Sequence, residues 1–208
     1  MKKLLILLFS LFLLNSPTVF ADDISDFEIE GISIGDSLLD YMTEDEIHEG
    51  LEITKGFFSH LAESNRYSEV YLFKDFSTYK NGLSFLIKNN LINKYITIKN
   101  EKYTILSIRG KISYIEDFDS CIQKRDEIIE VFSGIFPNEQ KNELVYASSS
   151  DPSGNSTVDT VWFEFDSGAQ IEAYCTNFEE TFRINKKWSE GLSIAINTSE
   201  ISRWLSGY

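Results

Sequence analysis

The chain has 208 residues and a formal net charge of −14, with 42% hydrophobic and 14% aromatic residues. This content of apolar side chains is sufficient for a packed core and excludes an intrinsically disordered chain. The strong negative charge disfavours binding to phosphate backbones and to anionic membrane surfaces, so we expect no nucleic-acid partner.

The first 21 residues have the three parts of a secretory signal peptide. Two lysines form a positive start, residues 4–14 are apolar apart from one serine, and small residues occupy the cleavage positions that end at Ala21. The apolar run is shorter than the roughly 20 residues of a membrane helix. We therefore expect cleavage after Ala21 and an exported, soluble mature chain that is not membrane-embedded; the alternative is an uncleaved anchor. Removing residues 1–21 removes two lysines and no acidic residue, which changes the net charge from −14 to −16.

The start of the mature chain is predicted to hold an extended segment and short helices. Residues 22–35 look extended, and Asp36 or Ser37 can cap a short helix. Thr43 and Glu46 form a capping box, which predicts the start of a second helix. This second helix includes Ile47 and Leu51 and resumes over residues 57–61.

Short β-rich runs separated by polar turn residues follow, over residues 70–73, 83–87 and 95–98. Residues 99–102 read as a hairpin turn into a longer strand, and Gly110 within that strand predicts a bulge or a sharp bend. Four side chains of the longer strand are predicted to share one face: Leu106, Ile108, Ile112 and Tyr114.

The clearest helix runs from about Asp119 to Phe136. Acidic residues at its start suit the helix dipole, and Pro137 follows its end. Arg125 interrupts its apolar stripe, and we expect its charged group to extend to solvent. The apolar residues that recur at helical spacing are Cys121, Ile122, Ile128, Ile129, Phe132, Ile135 and Phe136.

The last third of the chain is predicted to form further strands and a terminal helix. A short strand over 144–147 precedes a polar loop over 148–156. Residues 158–165 and 170–174 form a hairpin through the turn at 166–168. The final strand and helix are marked by Leu192, Ile194 and Ile196 in alternation, by a cap at Asn197 or Thr198, and by Ile201, Trp204 and Leu205.

Strand runs interrupted by one long helix indicate an α+β fold. We predict a mostly antiparallel β-sheet with one long amphipathic helix packed on it and short helices near both ends. Residues 22–208 are expected to form a single domain of this class.

The two cysteines of the chain are predicted to form a disulfide. Cys121 lies on the apolar stripe of the long helix, and Cys175 shares a strand face with Ile171 and Ala173, so both thiols should point into one helix–sheet interface. Disulfides persist in exported proteins. The alternatives are two buried reduced cysteines or a redox pair, although redox pairs usually occur as C-x-x-C, which is absent from this sequence.

Residues 35–38 spell Gly-Asp-Ser-Leu and resemble the signature of the GDSL esterases. The resemblance implies that Ser37 is a nucleophile, which would need a histidine base from a D-x-x-H near the C-terminus. The only histidines, His48 and His60, lie in the first third of the chain. A turn with Asp36 or Ser37 as helix cap explains the same residues, so we assign no catalytic residue.

Neither histidine occurs in a recognisable metal motif. His48 and His60 could bind a metal with Glu49 or Glu52, but the spacing of H-E-x-x-H is not met. The loop over 151–159 offers oxygen ligands for weak calcium binding, but the glycine and the acids fall at the wrong offsets for a calcium loop. We therefore assign no metal site, and the absence of Walker and dinucleotide glycine motifs leads us to expect no cofactor.

A second resemblance extends over most of the mature chain. The segment 31–41, together with 154–158, the aromatic strand after it and Cys175, resembles a family of small exported bacterial proteins of unknown function. The resemblance implies a periplasmic location and brings no activity with it.

These observations lead us to expect an exported, non-enzymatic module that binds a protein or a small molecule through one face of its sheet. Exposed clustering of the aromatic residues Trp162, Tyr174, Trp188 or Trp204 would favour this hypothesis. The alternatives are an esterase that uses Ser37, and a structural component of the cell envelope.

Overall fold

The structure is a computed structural model that describes residues 24, 27–54, 66–80, 82–93 and 95–207. The predicted signal peptide with its cleavage after Ala21, the predicted helical residues 57–61 and His60 lie outside the described residues.

A seven-stranded antiparallel sheet is the centre of the fold. Its strand order is β3-β4-β5-β9-β8-β7-β6. The strands are β3 (Tyr67–Leu72), β4 (Leu83–Lys88), β5 (Ile105–Ser113), β6 (Gln140–Ala147), β7 (Thr157–Glu164), β8 (Gln170–Asn177) and β9 (Gly191–Asn197). A separate hairpin of β1 (Glu28–Ile29) and β2 (Ile32–Ser33) precedes them. The predicted α+β class with an antiparallel sheet is confirmed.

Helices connect and flank the strands. They are α1 (Glu44–Thr54), α2 (Asn90–Asn93), α3 (Phe118–Ile135), α4 (Glu180–Lys186) and α5 (Ser199–Leu205), with short 3₁₀ turns at Leu38–Asp40 and Lys99–Glu101. Predicted caps are confirmed at two of them. The capping box joins the Thr43 amide to Glu46 Oε2 at 2.7 Å and the Glu46 amide to Thr43 Oγ1 at 3.3 Å. Thr198 caps α5 through the Ile201 amide.

The two faces of the sheet differ in chemistry because successive side chains of a strand point to opposite sides. The face that carries α3, called here the helix side, holds the main core. Phe163 on β7 is 1% exposed and contacts the rings of Phe132 and Phe136 at centroid distances of 6.3 and 5.9 Å. Burying such a side chain stabilises the fold by roughly 1.5–3 kcal/mol.

The opposite face, called here the open face, is covered by a described helix only at one end. There α5 places Ile201 and Trp204 against Tyr67, Leu86 and Leu106 in a small second core. By strand register, the rest of the open face carries Glu69, Tyr71, Ser84, Arg109, Lys111, Ser193, Ala195, Glu172, Tyr174, Thr160 and Trp162.

The bulge in β5 lies at a different residue from the one predicted. Leu86 pairs with Ser107 and Ile87 with Ile105, which leaves Leu106 as the extra residue. Leu106 therefore joins the second core instead of sharing a face with Ile108. Gly110 has regular partners, and a Cβ on it would lie 2.3 Å from the ring of Tyr79, so this glycine makes room for an aromatic side chain.

Two further predictions of local structure were wrong. Residues 95–98 are not a strand; Tyr95 and Ile98 are 76% and 57% exposed, and without burial or a neighbouring strand their β propensity is not sufficient. Arg125 does not extend to solvent. It is 7% exposed and forms ion pairs with Asp126 and with Asp159 on β7, so its charge is neutralised beside the sheet.

A disulfide joins Cys121 of α3 to Cys175 of β8, as predicted. The two Cα atoms are 6.0 Å apart, and both residues are fully buried. The bond ties the helix to the middle of the sheet across 54 residues of sequence.

We expect loss of this bond to weaken the fold strongly. Closing a loop of 54 residues is worth about 4 kcal/mol on the chain-entropy model. The double variant Cys121→Ala with Cys175→Ala should therefore unfold at lower urea concentration, with the free energy of unfolding reduced by about that amount. Thiol titration of unfolded, unreduced wild-type protein should find no free thiol; finding two would contradict the bond.

Candidate functional site

Ser37 is placed as a structural residue. Its side chain is 1% exposed, accepts a hydrogen bond from the Leu39 amide at 3.2 Å and donates one to the carbonyl oxygen of Lys102 at 2.6 Å. Within the described residues no histidine hydrogen-bonds to it. These contacts are those of a helix cap, and they favour that interpretation over the esterase hypothesis.

His48 lies on the exposed side of α1, where its Nε2 is 3.1 Å from the hydroxyl of Tyr103. That hydroxyl donates to Glu44 at 2.9 Å, and Glu44 also pairs with Lys102. Nowhere in the described ranges do three or more His, Cys, Asp or Glu side chains gather as a metal-binding group.

The polar loop after β6 is organised by its own aspartate. Asp151 is 4% exposed and accepts hydrogen bonds from the amides and hydroxyls of Ser153 and Ser156, which lowers the pKa of its carboxyl group to about 2. Asp159 pairs with Arg125. Both acidic side chains of the suggested calcium loop thus have protein partners.

The four aromatic residues singled out in the sequence separate into three environments. Trp162 and Tyr174 are partly exposed and lie as diagonal neighbours on the open face. Trp188 contacts Phe178 and Phe182 at centroid distances of 5.4 Å each. Trp204 is buried in the second core. The open face is therefore the surface on which such residues cluster.

A row of side chains crosses the open face in register. Arg109 of β5 lies opposite Ser84 of β4 on one side and Ala195 of β9 on the other. Ala195 in turn lies opposite Glu172 of β8, and Glu172 lies opposite Trp162 of β7. The small residues on β4 and β9 leave room for the long side chains of the strands beside them.

Charged groups on the open face are partly shielded from water: Glu69 is 7% exposed, and Arg109 and Glu172 are half-buried. Burial raises the pKa of both Glu69 and Glu172, and the positive charge of Arg109 offsets this effect in part. Glu172 also accepts a hydrogen bond from Asn197 at 3.4 Å, and Asn197 accepts one from Ser107 at 2.7 Å. The carboxylates and the guanidinium form one electrostatic group across five strands.

Most of the buried polar atoms without a hydrogen-bond partner lie on the same face of the sheet. In the part of the chain that the structure describes there are four: Glu69 Oε2, Arg109 Nε, Thr160 Oγ1 and Ser202 Oγ. The first three belong to the open face, and the fourth belongs to α5 at its end. A native protein keeps only a few such groups, so the placement of three of the four on one face makes that face the candidate surface.

The open face continues into a groove of about 650 Å³ beside β3 and β5. Lys111 lines this groove and donates a hydrogen bond to the carbonyl oxygen of Ser189. Burial, with the positive charge of Arg109, lowers the pKa of Lys111 to about 8, although Glu190 acts in the opposite direction. Its ammonium group is therefore held in an environment that disfavours the charge.

One signal in the sequence could have located this surface. β5 reads Ser107-Ile108-Arg109-Gly110-Lys111-Ile112, which alternates polar and apolar residues in the middle of a sheet. Such alternation is typical of a strand with only one covered face. The partner carboxylates on β3 and β8 could not be found in this way, because their proximity depends on the strand order.

Comparisons of the chain with protein-family models, curated proteins and solved structures found no match. Among the helices of the described residues, none is long and apolar enough to cross a membrane.

Replacing Ser37 tests its structural role. Ser37→Ala removes a helix cap and a buried hydrogen bond, so we expect the free energy of unfolding to fall by about 1–2 kcal/mol in urea unfolding. Ser206→Ala, at an exposed serine that donates to the Arg203 carbonyl oxygen, serves as control and should have little effect. Any esterase activity that survives Ser37→Ala excludes this serine as a nucleophile.

The burial of Lys111 should be visible in the pH dependence of stability. Its pKa of about 8 in the folded state lies below the value of about 10.4 in an unfolded chain. The unfolded state therefore binds more protons in this window, and the contribution of Lys111 to stability rises with pH. The difference in free energy of unfolding between Lys111→Met and wild type should favour the variant most below about pH 8. This difference should decrease between about pH 8 and 10, as the lysine of the wild type becomes neutral in both states. A pH-independent difference would contradict the assignment.

Proposed function

We propose that this protein is an exported, non-enzymatic binding module that holds a ligand or a partner on the open face of its sheet. The observation that carries the proposal is that three of the four buried, unpartnered polar atoms in the described residues lie on that face. Glu69 offers an acceptor, Arg109 a donor and Thr160 a hydroxyl group that can act as either.

The energetic cost of these groups supports the proposal. Each buried polar group that lacks a hydrogen bond reduces stability by about 1–3 kcal/mol. Apolar side chains of similar shape at the same positions would avoid that cost, and the helix side shows that this chain can supply them. A ligand whose binding moves these side chains and satisfies Arg109 or Thr160 would recover part of the lost energy.

Aromatic side chains give the same surface an apolar component. Trp162 and Tyr174 are partly exposed, and Tyr146 on the neighbouring edge strand β6 is 45% exposed. Tyrosine and tryptophan combine a large apolar surface with a hydrogen-bonding group, and they are enriched where proteins bind other molecules. The mixture of aromatic and buried charged groups suits recognition more than it suits packing.

The proposal includes export to the periplasm through cleavage of a signal peptide after Ala21. The Cys121–Cys175 disulfide supports it, because such bonds form and persist in oxidising compartments. The predicted signal peptide and the resemblance to small exported bacterial proteins point in the same direction.

Thr160→Val provides a test that separates binding from folding. The substitution removes an unpartnered buried hydroxyl group without changing the shape of the side chain, so we expect the free energy of unfolding to rise by about 1 kcal/mol. Hydroxyl-radical footprinting should show Trp162 and Tyr146 of the wild type oxidised more slowly in a native extract of the producing cells than in purified protein. The more stable variant should lose part of this protection.

Two controls belong to this experiment. Tyr95, which lies outside the sheet and is 76% exposed, should be oxidised equally in both samples. Lys124→Leu, on α3 of the helix side, should keep the protection of the open face. Equal oxidation of Trp162 and Tyr146 with and without extract would contradict the proposed function.

A further inference from the structure

The groove beside β3 and β5 has a charge opposite to that of the chain. The chain carries a net charge of −14, yet the groove is lined by Lys74, Lys80 and Lys111 and by a single acid, Asp75. Asp75 forms an exposed ion pair with Lys80 at 3.3 Å, which is screened by solvent. The groove thus has a local excess of positive charge on an acidic protein.

Aromatic rings form the apolar wall of the groove. The rings of Tyr71 and Phe73 contact each other with their centroids 4.4 Å apart and their planes tilted by 38°, and Phe73 is 65% exposed. An exposed phenylalanine next to lysines offers one surface for a flat apolar group and another for an anion. The volume of about 650 Å³ lies within the usual range of roughly 300–1,000 Å³ for small-molecule sites.

The connection from β3 to β4 is anchored, so the groove is preformed. Phe76 and Tyr79 are buried in the main core. The carboxylate of Glu30, in the turn between β1 and β2, accepts hydrogen bonds from the Thr78 amide at 2.7 Å and the Ser77 hydroxyl at 2.8 Å. These anchors lie between Lys74 and Lys80 in sequence and fix the segment that carries both lysines.

We propose that this groove binds a small organic anion, a carboxylate or a phosphate ester, whose flat apolar part packs on Phe73 and whose charge is held by the groove lysines. The proposal rests on the proposed function, since the groove is the end of the open face. It adds the chemical class of the ligand. Lys111 is the central group, because it is half-buried and shares its strand face with Arg109, so a bound anion would offset two positive charges.

The test uses three probes of the same shape with the purified, disulfide-bonded chain: 2-naphthoate, 2-naphthyl phosphate and neutral 2-naphthylmethanol. Backbone amide shifts in nuclear magnetic resonance spectra follow the titration. We expect at least one anion to bind with a Kd of about 1 mM or below, an affinity that a ligand with this number of atoms can reach. Its binding should shift the amide signals of Phe73 and Lys111. The neutral alcohol should bind at least about tenfold more weakly. The relative affinity of the two anions identifies carboxylate or phosphate as the preferred group.

Matched variants assign the charge and the apolar contact. Lys74→Gln with Lys80→Gln should weaken anion binding about threefold to tenfold, and added salt should have a smaller effect on this variant. Lys186→Gln with Lys187→Gln, the same change on exposed residues of α4 and its end, should leave the Kd unchanged. Phe73→Ala should weaken binding of the anions, whereas Val131→Ala on the outer side of α3 should not.

Several results would overturn the inference. The alcohol and the anions could bind with equal affinity, or the amide signals of Phe73 and Lys111 could stay unshifted. The two double lysine variants could also change the Kd of the anions equally. Shifts that fall on Trp162 and Thr160 instead would contradict the groove while supporting the open face as a binding surface. If Trp162 is protected in the footprinting experiment but no probe binds in the groove, the groove proposal is wrong and the proposed function still stands.

Discussion

The packing of α3 on one face of the sheet is the contact on which the rest of the structure depends. The disulfide between Cys121 and Cys175 fixes this helix above β8, and the aromatic cluster around Phe163 fills the space between them. Because one face supplies the main core, the fold can be stable without a fully apolar second face. The open face is therefore available for groups that no core would retain, such as Arg109 and Glu172.

Those groups are placed by the order of the strands. Glu69, Arg109 and Glu172 lie on β3, β5 and β8; β4 separates the first two of these strands, and β9 separates the last two. Next to Arg109, β4 and β9 contribute the small residues Ser84 and Ala195, which leave room for the long charged side chains of the neighbouring strands. In such surroundings electrostatic interactions are stronger than in bulk water, and the loss of a partner costs more.

Local signals in the sequence predicted local structure well. The capping box at Thr43, the hairpin that turns at Gly168 and the disulfide all depend on short patterns or on a face defined by alternation. Predictions failed where contacts with residues distant in sequence determine the environment of a side chain. Arg125 looked solvent-directed until the position of Asp159 on β7 was known, and the function of Gly110 depends on Tyr79, which lies 31 residues earlier in the chain. The groove could not be predicted, because its lysines come from separate segments.

The extra residue at Leu106 has a consequence beyond its own contacts. Side chains alternate along a strand, so one inserted residue reverses the parity of every position after it. With Leu106 present, Arg109 and Lys111 point to the open face, and Ile108 and Ile112 to the main core. Leu106 and Ser107 both lie on the open face, so the bulge absorbs the extra residue; in a regular ladder that kept Leu106 and the position of Ile105, the two sets would exchange and both charges would lie under α3. The bulge at this single position thus determines which side chains of β5 after Ser107 face each side of the sheet.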